Sequence, residues 1–372
     1  YSAISSYDQD KVIRDFKNWG ARLKIERGNR VFPESDRSSD IIKTLTNQMR
    51  KKRVKVRYNA EVKKLICDNY TSDNTKDKYK YIVKGVELEG GEKLYADCVL
   101  VTTGGKSYPR TGSTGDGYRM LRNFGVEIKS PRPALVPLEV KEKCCADMMG
   151  LSLKNVSVKF VASRDKYPFL NKNKILYEEF GEMLFTHFGV SGPICLSGSS
   201  YISAFFNSSK YFPDGKPKGP ININMIIDLK PALTEEELDD RVLRDFEEYH
   251  NRDFQNSLSK LLPRLMIPVI VERSGIRPNK KVNEISFLER KKLVDLLKHF
   301  PLTVTGFRGF DEAIITGGGI SVKEINPSNM ELKKIKNLRV AGEIIDCDAL
   351  TGGFNLQIAW CSAYMASAPL LN

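Results

Sequence analysis

The stretch from Gly342 to Gly353 places glycines and acids between an apolar run and a predicted helix. Gly342-Glu343 ends the apolar run of residues 338–341, and Asp346 and Asp348 follow in an acidic loop. Carboxylates on the approach to a helix suit the hydroxyl groups of a ligand, such as the ribityl chain of a flavin. The pattern predicts a ligand site, with a tight left-handed turn as the alternative.

The helix that follows is predicted from about Asn355 to Ala366, directly after Gly352-Gly353. Glycines at this position let the backbone approach a ligand closely. The N-terminus of a helix also presents free N–H groups and a partial positive charge. Both features favour a ligand at this helix end.

A second glycine-rich stretch follows the strand predicted to begin near Val99. The strand ends at Gly104-Gly105, and the loop that continues to Tyr118 has three more glycines interleaved with hydroxyl side chains. Such a loop can wrap a phosphate or the edge of a ring. The alternative is a flexible surface loop.

His187 is the histidine that could take part in proton transfer, because it lies just before a helix start predicted at Ser191-Gly192-Pro193. A neutral imidazole there could orient a substrate carbonyl or supply a proton. The alternative is a histidine satisfied by backbone hydrogen bonds. The other two histidines, His250 and His299, are predicted near helix ends with structural roles.

Several cationic and phenolic side chains are candidates for binding an anionic group. An arginine pair, Arg27 and Arg30 beside Asn29, can clamp a carboxylate or phosphate, or can pair with nearby glutamates at the surface. In the second glycine-rich loop the candidates are Lys106, Tyr108 and Arg110, and Tyr108 is also a candidate proton donor. No residue pattern supports a metal site.

The chain resembles the BaiN/RdsA-like (YhiN-like) NAD(P)/FAD-dependent oxidoreductases. Stretches that match this family run the whole length of the chain. The matching stretches are Arg27-Gly28-Asn29-Arg30-Val31-Phe32-Pro33, Thr103-Gly104-Gly105-Lys106-Ser107-Tyr108-Pro109, residues 181–193, Lys281-Val282-Asn283, Thr316-Gly317-Gly318-Gly319, Glu324-Ile325-Asn326-Pro327, and the motif of residues 341–357.

The resemblance implies an enzyme that binds FAD and passes hydride from NAD(P)H through the flavin to an electron-poor carbon. It implies that the helix from Asn355 points its N-terminus at the N1–C2=O edge of the flavin, where negative charge gathers on reduction. It implies catalytic roles for His187, Tyr108 and Arg30. The implied cofactor contacts are Val62, Thr103, Gly104, Gly105, Lys106, Gly342, Glu343, Asp346, Asp348, Thr351, Gly352, Gly353, Phe354, Asn355 and Gln357.

One part of the family pattern is not in this sequence. Members of the family begin with a strand, a Gly-x-Gly-x-x-Gly turn and a helix that hold the ADP half of FAD. This chain has no such motif and opens on Tyr1. We therefore expect its first βα unit to be missing, and retention of FAD by this chain to depend on that unit.

The composition is typical of a soluble globular protein, with 41% hydrophobic and 28% charged residues among 372. The apolar run of residues 265–271 falls far short of the ~20 residues that span a membrane, so we expect no membrane partner. The seven scattered cysteines form no Cys-x-x-Cys motif and indicate a reducing, cytoplasmic compartment. Adjacent Cys144-Cys145 is interpreted as an ordinary pair, with redox activity as the less favoured hypothesis.

The net charge of +13 is compatible with nucleic acid, with anionic cofactors or with a lysine-rich proteome. Basic residues cluster at 50–57, 76–80 and 333–339. Solvated faces account for most of such clusters, and contact with RNA is the alternative.

The predicted fold is α/β, with a Rossmann-like FAD-binding domain over residues 1–133 and 311–372 that lacks its first βα unit. An inserted antiparallel β-rich substrate or cap domain is predicted over residues 134–230 and 300–310, and a helical insert over 231–299. In the first domain we predict helices near 8 and at 40–52, the latter behind a Ser38-Ser39 cap. Predicted strands lie near 23 and at 54–58, 62–67, 81–88 and 98–101.

Local signals fix three helix starts in the two inserts. Thr234–Glu237 and Ser286–Glu289 are capping boxes, and Pro193 stands at the first position of a helix.

Four functions fit these features. The leading hypothesis is an FAD-dependent reductase of an activated C=C bond in a ring, because the resemblance implies reduction of conjugated ring enones such as 3-oxo bile-acid derivatives. The second is reduction of uridine to dihydrouridine in ribosomal RNA, which the positive charge favours. The third is an amine oxidase, and the fourth is a flavin-free RNA-binding or scaffold protein. The expected partner is a small-molecule substrate or ribosomal RNA.

Overall fold

The computed structural model describes residues 2–26, 28–71, 78–212 and 221–367. The chain divides into two compact units. The terminal unit combines residues 1–132 with 315–372, and the middle unit holds residues 133–314.

The helices and strands follow in chain order. The first part contains α1 (Ser2–Ser6), α2 (Gln9–Asn18), β1 (Leu23–Glu26), β2 (Arg30–Pro33), α3 (Ser38–Lys51), β3 (Val62–Asn69), β4 (Tyr81–Leu88), β5 (Lys93–Tyr95), β6 (Val99–Val101), α4 (Asp116–Arg122) and β7 (Ile128–Ala134). The next part contains β8 (Leu138–Val140), α5 (Cys144–Asp147), β9 (Ser152–Ala162), β10 (Lys174–Thr186), β11 (Gly189–Ser191), α6 (Pro193–Phe206), β12 (Ile223–Asp228), α7 (Glu235–Glu248), α8 (Phe254–Ser257), α9 (Ile267–Ser274), α10 (Phe287–Lys298) and β13 (Phe300–Phe307). The last part contains β14 (Ile315–Ile320), β15 (Ile335–Lys336), β16 (Leu338–Val340) and α11 (Phe354–Ser367).

Parallel strand pairs organise the terminal unit. β16 pairs with β6, with Val340 opposite Val101, and β15 pairs with β4. β4 also forms antiparallel ladders with β3 and β5, and β14 pairs with β7. The buried Arg339 of β16 donates through Nη1 to the carbonyl of Ala366 at 2.6 Å. This bond connects β16 to the C-terminal turn of α11, where a cation complements the helix dipole.

A closed barrel forms the centre of the middle unit. Its strands follow the order β10-β11-β8-β13-β12-β9. α6 lies against β9, because a Cβ built on Gly198 would stand 2.4 Å from the ring of Phe160. The barrel strands and the helices α7 to α10 share one hydrophobic core, in which Phe160, Phe254 and Phe300 are fully buried.

The three predicted helix starts in this unit are confirmed. Thr234 caps α7 and Ser286 caps α10, and in both boxes the glutamate three residues later accepts from the backbone of the cap. Pro193 stands in the first turn of α6. Each signal is local, so the residues that fix the helix start are neighbours in sequence.

Two local predictions in the terminal unit are wrong. Residues 54–58 form no strand in the described part of the chain; Arg53 and Asn59 flank them with φ of 56° and 54°, which bends the chain at both ends. The Ser38-Ser39 cap is also not formed. α3 begins at Ser38 with Arg37 at the cap position, and no side chain caps it.

The structure groups residues 133–314 as one unit, so the separation into a β-rich domain and a helical insert stays a prediction. None of the helices in the described ranges has the length and apolar character needed to cross a membrane.

Candidate functional site

The hydroxyl of Thr316 holds the glycine-rich loop that follows β6 in the terminal unit. It accepts the backbone N–H of Lys106 at 2.7 Å and that of Ser107 at 3.0 Å, and its Oγ1 lies 3.0 Å from the Ser107 hydroxyl. Thr316 itself is buried at the start of β14. The loop after β6 is therefore held by a residue that lies 210 positions away in sequence.

The carboxylate of Glu343 connects a third segment, the one after β16, to Thr316. Its Oε1 accepts the backbone N–H of Thr316 at 2.6 Å. A Cβ built on Gly105 would stand 2.2 Å from Thr316 Oγ1 and 2.9 Å from Glu343 Oε1, so only glycine fits there. The segments after β6, in β14 and after β16 thus meet at one point, beside the carboxyl ends of the parallel strands β6 and β16.

Buried residues pack against the segments that meet at Thr316. The Tyr118 hydroxyl lies 3.5 Å from the carbonyl oxygen of Glu343, and burial together with Glu343 raises the pKa of Tyr118 above its ordinary range. Gly117 of α4 leaves room for Thr103, whose Oγ1 would lie 2.3 Å from an added Cβ. That Oγ1 is buried and has no hydrogen-bond partner among the described residues.

Asp346 and Asp348 lie with Arg132 in a small charged cluster. Arg132 Nη2 stands 3.9 Å from Asp348 Oδ1, and the Arg132 guanidinium packs against Gly317. Burial raises the pKa of the Asp346 carboxyl, an effect that Arg132 opposes. The Nε of Arg132 is buried without a partner among the described residues. The cluster therefore keeps one polar atom, Arg132 Nε, without a partner among the described residues in a partly desolvated place.

The turn before α11 contains two glycines with positive φ, and its role as a ligand site stays a prediction. Gly352 and Gly353 have φ of 128° and 89°, and the helix begins at Phe354, whose side chain is exposed. Thr351 lies in this turn. The Asn355 amide donates to the carbonyl of Ala349 at 2.8 Å and accepts the N–H of Ala349 at 2.9 Å.

The remaining predicted contacts make bonds within the protein. The Gln357 amide donates to the carbonyl of Tyr7 at 2.9 Å. The N–H of Gly342, which has a φ of 79°, donates to the buried Ser362 hydroxyl at 2.9 Å. Gly104 has a φ of 71° and is followed by the loop that Thr316 holds. Val62 begins β3 and pairs with Leu88.

The three catalytic candidates lie in different places. Tyr108 is exposed in the loop after β6, and its φ of 52° is rarely adopted by an aromatic residue. Arg30 is exposed at the start of β2, in a hairpin with β1. His187 belongs to the middle unit, where its exposed ring packs edge-on against Phe188 in the turn between β10 and β11. Arg27 lies outside the described residues.

Sequence reasoning missed Thr316 and Arg132 as members of the site. Thr316-Gly317-Gly318-Gly319 does carry a signal, since a run of three glycines in a strand indicates close approach of another backbone. A Cβ on Gly318 or Gly319 would stand 2.5 Å from a backbone oxygen of a neighbouring segment. Arg132 has no comparable signal in its neighbours.

The sequence matches a known family over residues 1–369, and that family is described as the HI0933-like protein Rossmann domain. The chain belongs to the HI0933-like family. This match confirms the predicted resemblance and shows a Rossmann-like α/β fold.

Three relatives of this HI0933-like chain have named activities. A 3-dehydro-bile acid delta(4,6)-reductase of Clostridium scindens is 26% identical over 367 residues, which cover 98% of this chain and 81% of that protein. A ribosomal RNA dihydrouridine synthase of Escherichia coli is 25% identical over 374 residues, covering 100% of this chain and 81% of that protein. A second such synthase, of Haemophilus influenzae, is 28% identical over 268 residues, which cover 72% of this chain but 58% of that protein. The names of all three support enzyme activity in this chain.

Proposed function

We propose that this protein is an FAD-dependent oxidoreductase that passes hydride from NAD(P)H to an activated C=C bond of a ring substrate. The observation that carries the proposal is the convergence of three glycine-bearing segments on Thr316 at the carboxyl ends of β6 and β16. In open α/β sheets, ligands bind beyond the carboxyl ends of parallel strands. The reductase named among the relatives supports the reaction class.

The terminal unit contains residues that could hold a flavin. The hydroxyl of Thr103 and the Nε of Arg132 are buried and have no partner within the described ranges, so a ligand could satisfy both. Gly352 and Gly353 have no side chains to cover the backbone where α11 begins. The N–H groups of the first turn can therefore face an electron-rich ring edge. The carboxylates of Asp346 and Asp348 would accept hydrogen bonds from ribityl hydroxyls.

A bound flavin would supply two-electron hydride chemistry, which no amino-acid side chain provides. The protein would contribute orientation, a proton and electrostatics. Tyr108 is the proposed proton donor, because its strained backbone presents an exposed phenol in the glycine-rich loop. Arg30 remains a proposed catalytic residue, for an anionic group of the substrate or NAD(P)H. A catalytic role for His187, in the middle unit, stays a prediction from the sequence.

The first test is an absorbance spectrum of the purified protein after addition of FAD and removal of the excess. Protein-bound flavin bands that bleach anaerobically with NADH or NADPH would support the proposal. A protein that stays colourless at saturating FAD would refute cofactor binding by this chain. Turnover of a conjugated ring enone, measured by loss of its ultraviolet band, then tests the substrate class.

Reduction of uridine in ribosomal RNA is the second candidate, and the distribution of charge favours it. The terminal unit holds 33 Lys and Arg against 22 Asp and Glu, whereas the middle unit holds 26 against 24. Nearly all of the net charge of +13 thus belongs to the terminal unit, which contains the three glycine-bearing segments that meet at Thr316 (the glycine cluster). Two of the relatives are named ribosomal RNA dihydrouridine synthases.

RNA binding measured across salt concentrations separates the two candidates. If RNA is the substrate, log Kd should change linearly with log salt, by roughly 0.7 for each phosphate contacted in a single strand. Mass spectrometry of ribosomal RNA incubated with the protein, FAD and NADPH should show a gain of two hydrogens on a uridine. If the protein binds RNA weakly and independently of salt, and the RNA is unchanged, reduction of a small ring substrate remains as the function.

A further inference from the structure

We propose that Cys144 is a site of oxidation by hydroperoxides, activated by Arg273 and by its neighbour Cys145. The product would be a sulfenic acid on Cys144. The arrangement lies wholly in the middle unit and is independent of the glycine cluster.

Arg273 is fixed beside the sulfur by its other contacts. Its Nη1 lies 4.0 Å from Cys144 Sγ, and its Nη2 donates to the carbonyl of Pro301 at 2.8 Å. The guanidinium carbon also stands 4.4 Å from the centre of the Phe300 ring, which is fully buried. A cation held on both sides in this way stabilises a thiolate without having to be ordered first.

Besides Arg273, the titratable groups that act on the Cys144 thiol are Glu142 and Cys145. Glu142 opposes ionisation of Cys144, but its carboxylate is occupied by the backbone N–H and the hydroxyl of Thr303, both at 2.8 Å. Hydrogen bonding from Cys145 and the charge of Arg273 lower the pKa of Cys144 to about 7. The pKa of Cys145 is strongly raised, so Cys145 stays a thiol at pH 7, where about half of Cys144 is thiolate.

The two sulfurs differ in their exposure to solvent. Cys144 is partly exposed on α5, whereas Cys145 is buried. Among the other cysteines, Cys67, Cys98, Cys195, Cys347 and Cys361 all have a pKa raised by burial. Cys144 is thus the one cysteine of the seven that combines access with a stabilised thiolate.

The reaction balances with a hydroperoxide as the oxidant. The Cys144 thiolate attacks one peroxide oxygen, an S–O bond forms and the O–O bond breaks. Sulfur loses two electrons, and the other oxygen leaves as hydroxide or alkoxide, which takes a proton from water. A thiolate, not a thiol, is the nucleophile in this step.

The test measures alkylation of each cysteine by iodoacetamide across pH, with mass spectrometry to assign the sites. The rate at Cys144 should reach half of its maximum near pH 7, while exposed Cys347, which is flanked by acids, should react only at higher pH. A brief hydrogen peroxide pulse followed by dimedone should label Cys144 first. If Cys347 is labelled as fast at pH 7, or if Cys144 titrates at pH 8.5 or above (about the value of a free thiol), the proposal fails.

Arg273→Met tests the activating cation. The rate at Cys144 at pH 7 should fall about fivefold if the pKa rises by one unit, and about fifteenfold if it rises to the value of about 8.5 of an unperturbed thiol. Arg252→Met is the matched control, because Arg252 also stacks on a ring, 4.1 Å from the centre of Tyr249. Equal rates in both variants would refute the role of Arg273, and if Arg273→Met does not fold, the wild-type pH profile alone decides the question.

Discussion

Thr316 and Glu343 are joined by one short hydrogen bond, in which the backbone N–H of Thr316 donates to Oε1 of Glu343 at 2.6 Å. The Thr316 hydroxyl in turn accepts from two backbone N–H groups of the loop after β6. Three segments that are distant in sequence therefore depend on two side chains. Loss of either side chain should affect the whole cluster rather than one loop.

Thr316→Val should destabilise the protein and weaken flavin binding. The substitution keeps the volume but leaves the N–H groups of Lys106 and Ser107 without their acceptor, which costs about 2 kcal/mol. Thr316→Ser keeps the acceptor and is the control. Urea unfolding and titration with FAD measure the two effects, and equal behaviour of the valine and serine variants would contradict this role.

Gly105→Ala should abolish retention of FAD. The new methyl would overlap Thr316 Oγ1 at 2.2 Å and push the Glu343 carboxylate away. Gly90→Ala is a matched control, since no atom lies within 4 Å of the Cβ position at Gly90. Flavin absorbance after gel filtration should be lost in the first variant and unchanged in the second. Retention of flavin by Gly105→Ala would place the cofactor elsewhere.

Gly353→Val tests the turn before α11. Valine there would be strained at a φ of 89° and would cover the start of the helix. Gly91→Val carries the same strain, at a φ of 81°, in the turn between β4 and β5. Both variants should lose similar thermal stability, and only Gly353→Val should lose flavin. Parallel loss of flavin in both would show that strain alone is responsible.

Asp346→Asn should stabilise the protein without ligand at neutral pH while weakening flavin binding. Burial raises the pKa of Asp346 in the folded state, so folding opposes its ionisation. The penalty is absent below the unfolded pKa of about 3.9 and grows as pH rises through the folded pKa. Since the carboxyl is partly solvated, we expect a gain under about 1 kcal/mol at pH 7 that disappears near pH 3. Thermal melts across pH measure it, and a destabilised variant at pH 7 would contradict the sign.

Glu289→Gln should show the opposite dependence on pH. Hydrogen bonds from Lys280 and Ser286 lower the pKa of Glu289 to about 2, so its charge stabilises the fold above the unfolded pKa of about 4.3. This contribution is lost as pH falls towards 2. The glutamine keeps the cap but not the ion pair, so the variant should be less stable by under about 1 kcal/mol at pH 7. Glu237→Gln, in the capping box of Thr234, is the control for the cap itself.

Sequence reasoning succeeded where the interacting residues are close along the chain. The capping boxes of Thr234 and Ser286, Pro193 at the start of α6, and the helix after Gly352-Gly353 all depend on local signals, and the structure has each of them. The family match likewise supports the Rossmann-like α/β fold.

It failed where structure depends on distant partners. The alternating residues 54–58 have the composition of a strand, but a strand exists only when another backbone pairs with it. Thr316 was not predicted as a site residue because its two partners lie in a loop about 210 positions earlier. The glycine run after Thr316 indicates that another backbone lies close by, but it does not identify the loop of Lys106 and Ser107 as the partner.

The paired bonds between Asn355 and Ala349 have a consequence for the kinetics of any ligand at this turn. Because the side-chain amide closes residues 349–355 into a ring that reaches the first turn of α11, the turn has its shape in the free protein. A ligand that binds there loses no conformational entropy from this segment, and its rate of association should approach that of a rigid receptor. Opening the ring with Asn355→Ala should therefore slow association much more than it speeds release.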